Sequence, residues 1–165
     1  MAAVAALALT ATPAFAAPTP PNQNATATAR IIKPLTLTWV QDLDLGTILL
    51  SGPGAWSGAV VGVSQAGVLS CVNPNVTCSG AVQAARYNVR GTNNQVVTIT
   101  APNVTLTNAN DPTQTLLMTV SSPGTVTLTS SGVPGDDFDL GGSITVDSTT
   151  VDGVYSGLFD VTVDY

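Results

Sequence analysis

The 165-residue chain carries a formal net charge of −6, and its only cations are Arg30, Lys33, Arg86 and Arg90, so no basic stripe exists to neutralise nucleic-acid phosphates. It contains no His and no Glu, which leaves Asp as the sole carboxylate and deprives Ser or Cys of an ordinary general base; neither catalysis nor a cofactor is expected. Val, Thr, Gly, Ser and Asn outweigh the helix formers, a composition that points to a single all-β domain.

Residues 1–17 are almost entirely Ala, Leu and Val and end in Pro13-Ala14-Phe15-Ala16-Ala17, where Ala14 and Ala16 suit signal peptidase. Cleavage is expected after Ala16, making 1–16 a signal peptide. Met1 is followed directly by Ala2-Ala3-Val4, without the usual positive n-region, which suggests a true start upstream. The apolar run is too short for a comfortable membrane span, and none is expected after cleavage. Pro18, Pro20 and Pro21 make 17–23 a flexible spacer.

Asn24 to Ile32 alternates small apolar and polar residues and reads as one extended strand, within a segment 24–33. A period of two sends Ala25, Ala27, Ala29 and Ile31 to one face and Thr26, Thr28, Arg30 and Ile32 to the other. Pro34 lacks an amide hydrogen and pushes Lys33 towards extended geometry, so the strand is separated from the next by a hinge. Such a strand fits addition to an exposed sheet edge, where main-chain bonds supply affinity and alternate side-chain pockets supply specificity.

From Pro34 to Tyr165 short alternating strands are broken by Gly, Pro, Asn and Asp clusters at the spacing of a β-sandwich. The expected strands are 35–40, 43–50, 57–63, 67–71, 82–91, 95–101, 115–121, 125–130, 138–146 and 155–165, with a further candidate at 104–107 and a loop over 108–113. Cys71 and Cys78 flank an Asn-Pro-Asn turn, and an exported chain makes a disulfide closing a hairpin the default, worth roughly 2.5 kcal/mol by loop closure. Two thiols without His, spaced wider than C-x-x-C, argue against a metal or redox pair.

Asp42-Leu43-Asp44-Leu45-Gly46 echoes Asp137-Phe138-Asp139-Leu140-Gly141. Two carboxylates before a turn Gly could begin a calcium site, but no acidic residue closes it at the spacing of a calcium loop. The stronger reading turns Leu43, Leu45, Phe138 and Leu140 inward and leaves the aspartates in water. Trp56, in a Gly- and Pro-marked loop, is the best candidate ligand contact, although a Trp so placed more often caps the core. Trp39, in a strand, is expected to be buried. Arg86 and Arg90 share a strand face that could read a carboxylate or sugar acid, with plain solvation the simpler reading.

The segment Tyr155–Tyr165 is the clearest core strand, with Tyr155, Gly157, Phe159, Val161, Val163 and Tyr165 on one face. A closed immunoglobulin-type sandwich would follow it with a hairpin and a partner strand. With none following, the sheet is expected to end in an unpaired edge beside an apolar groove.

The tail Gly153–Tyr165, with Pro34-Leu35-Thr36-Leu37-Thr38 and Asp42-Leu43-Asp44-Leu45-Gly46, resembles a family of small exported bacterial domains of unknown function that is similar to subunits of archaic and alternative chaperone-usher pili. The resemblance covers nearly all of the chain after the signal. It implies an immunoglobulin-like Greek-key β-sandwich over 34–165 that is incomplete and completed by donor-strand exchange. It also implies a surface pilus subunit exported through the periplasm to an extracellular filament. Implied partners are identical or related pilus subunits, a periplasmic chaperone and an outer-membrane usher. Ala25, Ala27, Ala29 and Ile31 would then be donor side chains, and Tyr155, Phe159, Val161, Val163 and Tyr165 would line the acceptor groove. Three of the four donor residues are alanines, smaller than the bulky residues often found there. The competing expectation is a self-contained secreted β-sandwich that acts as an adhesin or carbohydrate-binding domain.

Overall fold

The computed structural model describes residues 23–165. The expected signal 1–16 and all but the last residue of the spacer 17–23 lie outside the described residues. Residues 23–30 have no regular secondary structure and are exposed. A strand is defined by its ladder partner, and residues 24–32 form no ladder, so the alternation at Ala25, Ala27, Ala29 and Ile31 is a strand pattern without a strand.

The body, Ile31–Tyr165, is all-β, with no helix among the described residues. Its strands are β1 Thr36–Gln41, β2 Thr47–Leu50, β3 Ala59–Val63, β4 Leu69–Ser70, β5 Val76–Ser79, β6 Ala85–Arg90, β7 Val96–Thr100, β8 Val104–Asn108, β9 Thr115–Ser121, β10 Thr125–Thr127, β11 Asp136–Val146, β12 Tyr155–Ser156 and β13 Thr162–Asp164. The larger sheet has the order β1-β6-β11-β9-β8-β12, with β3 also on β11 and β4 on β3. A second sheet has the order β10-β7-β13, and β2 pairs with β5 alone. Every pairing is antiparallel, as the short turn-rich connections require.

The long strand β11 organises the body. Its first half pairs with β6, and its second half lies between β3 and β9. The exchange of partners occurs at Gly141, where a Cβ would meet the Val63 carbonyl oxygen at 2.5 Å, so only a residue without a side chain lets β3 close on β11. Two apolar clusters fill the core. One gathers Ala59, Val61, Val76, Val104, Leu106, Met118, Ile144 and Val146; the other gathers Ala85, Val89, Val97, Ile99, Leu128, Phe138 and Leu140.

Most expected strands recur with shorter ends. Two expectations need correction. The stretch 155–165 is not one strand: β12 pairs with β8 in the larger sheet, β13 pairs with β7 in the other, and 157–161 runs between them without a ladder. Period-two alternation reports facing towards a core and not continuity of pairing, so a chain crossing between sheets keeps the pattern. The Cys71–Cys78 disulfide is present, with Cα atoms 6.2 Å apart, but it closes no hairpin. Cys71 follows β4, which pairs with β3, whereas Cys78 lies in β5, which pairs with β2. The bridge therefore ties the β2–β5 ribbon to the larger sheet.

Candidate functional site

Two edge strands face each other at one side of the body. β1 ends the larger sheet and β13 ends the second, and among the described residues neither has a ladder partner on its other side. Trp39 of β1 stands opposite Tyr87 of β6, and Tyr87 opposite Phe138 of β11, so the three side chains occupy the same sheet face. Phe138 is buried in the core, which makes that face the inner one. Along this row exposure rises from buried Phe138 through half-buried Tyr87 to Trp39, which is 59% exposed. The expectation that Trp39 is buried is thus corrected. Its side chain is on the inner face, but the described residues leave that face largely uncovered at the β1 edge.

The second sheet repeats the gradient. Val163 of β13 stands opposite Ile99 of β7; Ile99 is buried, whereas Val163 is only half-buried. Leu35 and Leu37 from the β1 side and Phe159, Val161 and Val163 from the β13 side all pack on the same buried cluster while remaining partly exposed. The result is an apolar trench with two walls. Burial on the order of 25 cal/mol per Å² is left unrealised along it.

The two ends of the trench differ. At one end the Tyr165 hydroxyl donates to the Lys33 carbonyl (2.5 Å) and accepts from the Thr92 amide (2.7 Å). The Lys33 amide donates to Thr92 Oγ1, and its Nζ donates to the Ser131 carbonyl. A Cβ at Gly91 would meet the Tyr165 hydroxyl, Leu35 and Leu128 within 2.8 Å, so this end is closely filled. These bonds fasten Lys33, the residue before Pro34, to the body. At the other end Trp39, Gln41, Asp42, Ala85, Tyr87, Gly157, Leu158 and Phe159 surround an open cleft of about 80 Å³. Leu158 is 98% exposed at its rim. Burial, with Asp42 and Asp160 nearby, holds the Tyr87 phenol above its ordinary value.

A family model described as a domain of unknown function, DUF4402, matches residues 35–165. The chain belongs to the DUF4402 family. No curated protein and no solved structure matches it. The DUF4402 span contains both walls of the trench, whereas Ala25, Ala27, Ala29 and Ile31 precede it.

Of the other residues singled out by sequence, Phe159, Val161, Val163 and Tyr165 come together on the β13 side, but Tyr155 does not join them. It packs on the first cluster, and its hydroxyl donates to the Val151 carbonyl. Trp56 packs on the first cluster and exchanges backbone and side-chain bonds with Ser148, the arrangement of a core cap. Leu43 and Leu45 pack inward, and Phe138 and Leu140 are buried. The aspartates take local partners: Asp42 accepts from the Trp39 indole, Asp44 from the Gly46 amide and Asp137 from Asn88. Arg86 makes a bidentate pair with Asp139 of the neighbouring strand β11 at 2.7 and 3.0 Å, and Arg90 donates to Asn88 two residues away in its own strand β6, so both have protein partners and not water alone. Sequence reasoning missed Trp39, Tyr87, Leu35 and Leu37 as the facing wall. The alternation Leu35, Leu37, Trp39 was a signal for one face, without any mark of where that face lacks a cover.

Proposed function

We propose that this DUF4402 domain is the structural subunit of a surface pilus or fimbria that polymerises by donor-strand complementation. The observation that carries the reading is the uncovered inner face at Trp39, in register with buried Phe138. An unpaired strand edge beside an apolar trench is an aggregation hazard unless another chain fills it. The filler supported by the sequence is the segment 24–32 of a neighbouring copy, whose Ala25, Ala27, Ala29 and Ile31 form one apolar face, with Ile31 89% exposed in the single chain. On this reading the body is an incomplete immunoglobulin-like sandwich. A periplasmic chaperone covers the trench during export, an outer-membrane usher assembles the filament at the cell surface, and no catalytic step is involved.

Size-exclusion chromatography of the exported chain with and without residues 17–32 tests the proposal. Ladders or filaments that vanish on truncation support it; a monomer in both cases overturns it. That second outcome favours a self-contained secreted β-sandwich that binds a surface carbohydrate. The observation behind this alternative is an open cleft of about 200 Å³ lined by Gln41, Gln65, Gln83, Arg86 and Asp139, whose amides and ion pair suit hydroxyl groups.

A further inference from the structure

The open cleft beside Trp39 has a chemistry that strand packing does not use. Three aromatic side chains, Trp39, Tyr87 and Phe159, wall it together with Ala85 and Leu158, and one carboxylate, Asp42, stands among them. One face of the Tyr87 ring is stacked on Phe138 at a centroid distance of 5.7 Å, so the other is turned along the row towards Trp39. Trp39 is mostly exposed, yet its indole is held by the bond to Asp42 at 3.1 Å. Aromatic rings fixed in place and left open form a ready surface for a ligand.

The charge around these rings has one sign. Asp160 follows Phe159 in the chain, and burial first, then Asp42 and Asp160, hold the Tyr87 phenol above its ordinary value. Neither aspartate is in an ion pair with a described residue. Arg86, the neighbour of Tyr87 in β6, is sent to the outer face by the pleat and is paired there with Asp139. Electron-rich ring faces and two carboxylates therefore set a negative potential in a cleft whose described lining has no positive group.

We propose that this cleft binds a quaternary ammonium group, the trimethylammonium head of a choline-like molecule. A cation over the face of Trp or Tyr is drawn by the ring quadrupole, and its methyl groups bury against Ala85, Leu158 and Phe159. A quaternary nitrogen has no N–H to satisfy. That property decides the class, because the polar lining is already engaged: Asp42 Oδ1 accepts from the Trp39 indole, and Gln41 Nε2 donates to the Ala84 carbonyl. A primary ammonium brings three donors and would leave some unpaired among apolar walls. The volume of about 80 Å³ is well below the roughly 300 Å³ at which whole drug-sized ligands are enclosed, so the cleft takes a head group and leaves the remainder in solvent. The inference goes beyond the assembly reading and stands without it, although a strand laid over Trp39 would close the cleft.

Choline titrated into the full exported chain at constant ionic strength, read by Trp fluorescence and by calorimetry, tests the proposal. Wild type and Ile31→Asp are measured side by side, since Ile31→Asp removes no cleft residue and keeps the cleft open if assembly closes it. Saturable choline binding is expected in Ile31→Asp, with the uncharged tert-butyl analogue of choline about fivefold weaker for want of the cation–π attraction. Trp39→Leu and Asp42→Asn are each expected to weaken choline about threefold, and Asp42→Asn keeps an acceptor for the Trp39 indole. Phosphatidylcholine vesicles form a second arm: co-sedimentation assigns the head group to a lipid, and choline binding without it assigns a free solute, the ammonium site standing in either result. Binding by Ile31→Asp but not by wild-type filaments supports this site and the assembly reading together. Equal binding by a wild type that stays monomeric supports this site and sinks the assembly reading. No binding by either protein, or equal binding of choline and its uncharged analogue, overturns the proposal whatever the state of assembly.

Discussion

Ile31→Asp is the substitution that separates folding from assembly most cleanly. Ile31 is 89% exposed in the single chain and contributes almost nothing to the core, so the isolated body keeps its stability. Full burial of an isoleucine side chain in a neighbour's trench contributes about 2–3 kcal/mol, which a polar replacement forfeits. A carboxylate set there without a partner costs roughly 2 kcal/mol more. A total of about 4 kcal/mol weakens each subunit junction on the order of 1,000-fold. The assay is negative-stain microscopy of filament length alongside thermal unfolding of the purified subunit. Val72→Asp, at an equally exposed residue in the loop between β4 and β5, serves as control and is expected to assemble normally. Filaments of ordinary length from folded Ile31→Asp protein would refute the donor-strand argument.

Three further outcomes follow from the same geometry. Trp39→Ala should lower the unfolding free energy of the monomer by less than about 1 kcal/mol, because the side chain is mostly exposed, yet weaken assembly at least tenfold in sedimentation assays. Cys71→Ser with Cys78→Ser should cost roughly 2.5 kcal/mol in a urea titration, with the loosening concentrated in β2 and β5, the ribbon that the bridge fastens; unchanged stability would show the ribbon to be held by its packing alone. The Asp147 carboxyl is held below its ordinary value of 3.8 by the Thr149 hydroxyl first, then by the Thr149 amide, and Asp111 likewise by Thr113. Their contribution is therefore fully present above that ordinary value and is lost as pH falls through the lower folded values. Asp147→Ala with Asp111→Ala should flatten the acid limb of the stability profile below about pH 4 and leave its neutral plateau with the same slope, measured by thermal melts across pH.

Residue order alone determined the all-β class, because Val- and Thr-rich alternation between Gly, Pro and Asn turns has no helical alternative. It also paired Cys71 with Cys78, the only two thiols present, and turned Leu43, Leu45, Phe138 and Leu140 inward, since facing is a local property of a pleated backbone. Ladder partners are not local. Whether 155–165 stays in one sheet, whether the disulfide closes a hairpin or joins a ribbon to a sheet, and whether Trp39 is covered depend on strands far away in the chain. Trp39 shows the division most plainly: its alternation with Leu35 and Leu37 assigns it to the inner face, but only the arrangement of β1 and β13 as two opposing edges leaves that face without a lid. Alternation specifies a direction for each side chain; burial requires a second surface to meet it, and tertiary structure alone supplies or withholds that surface.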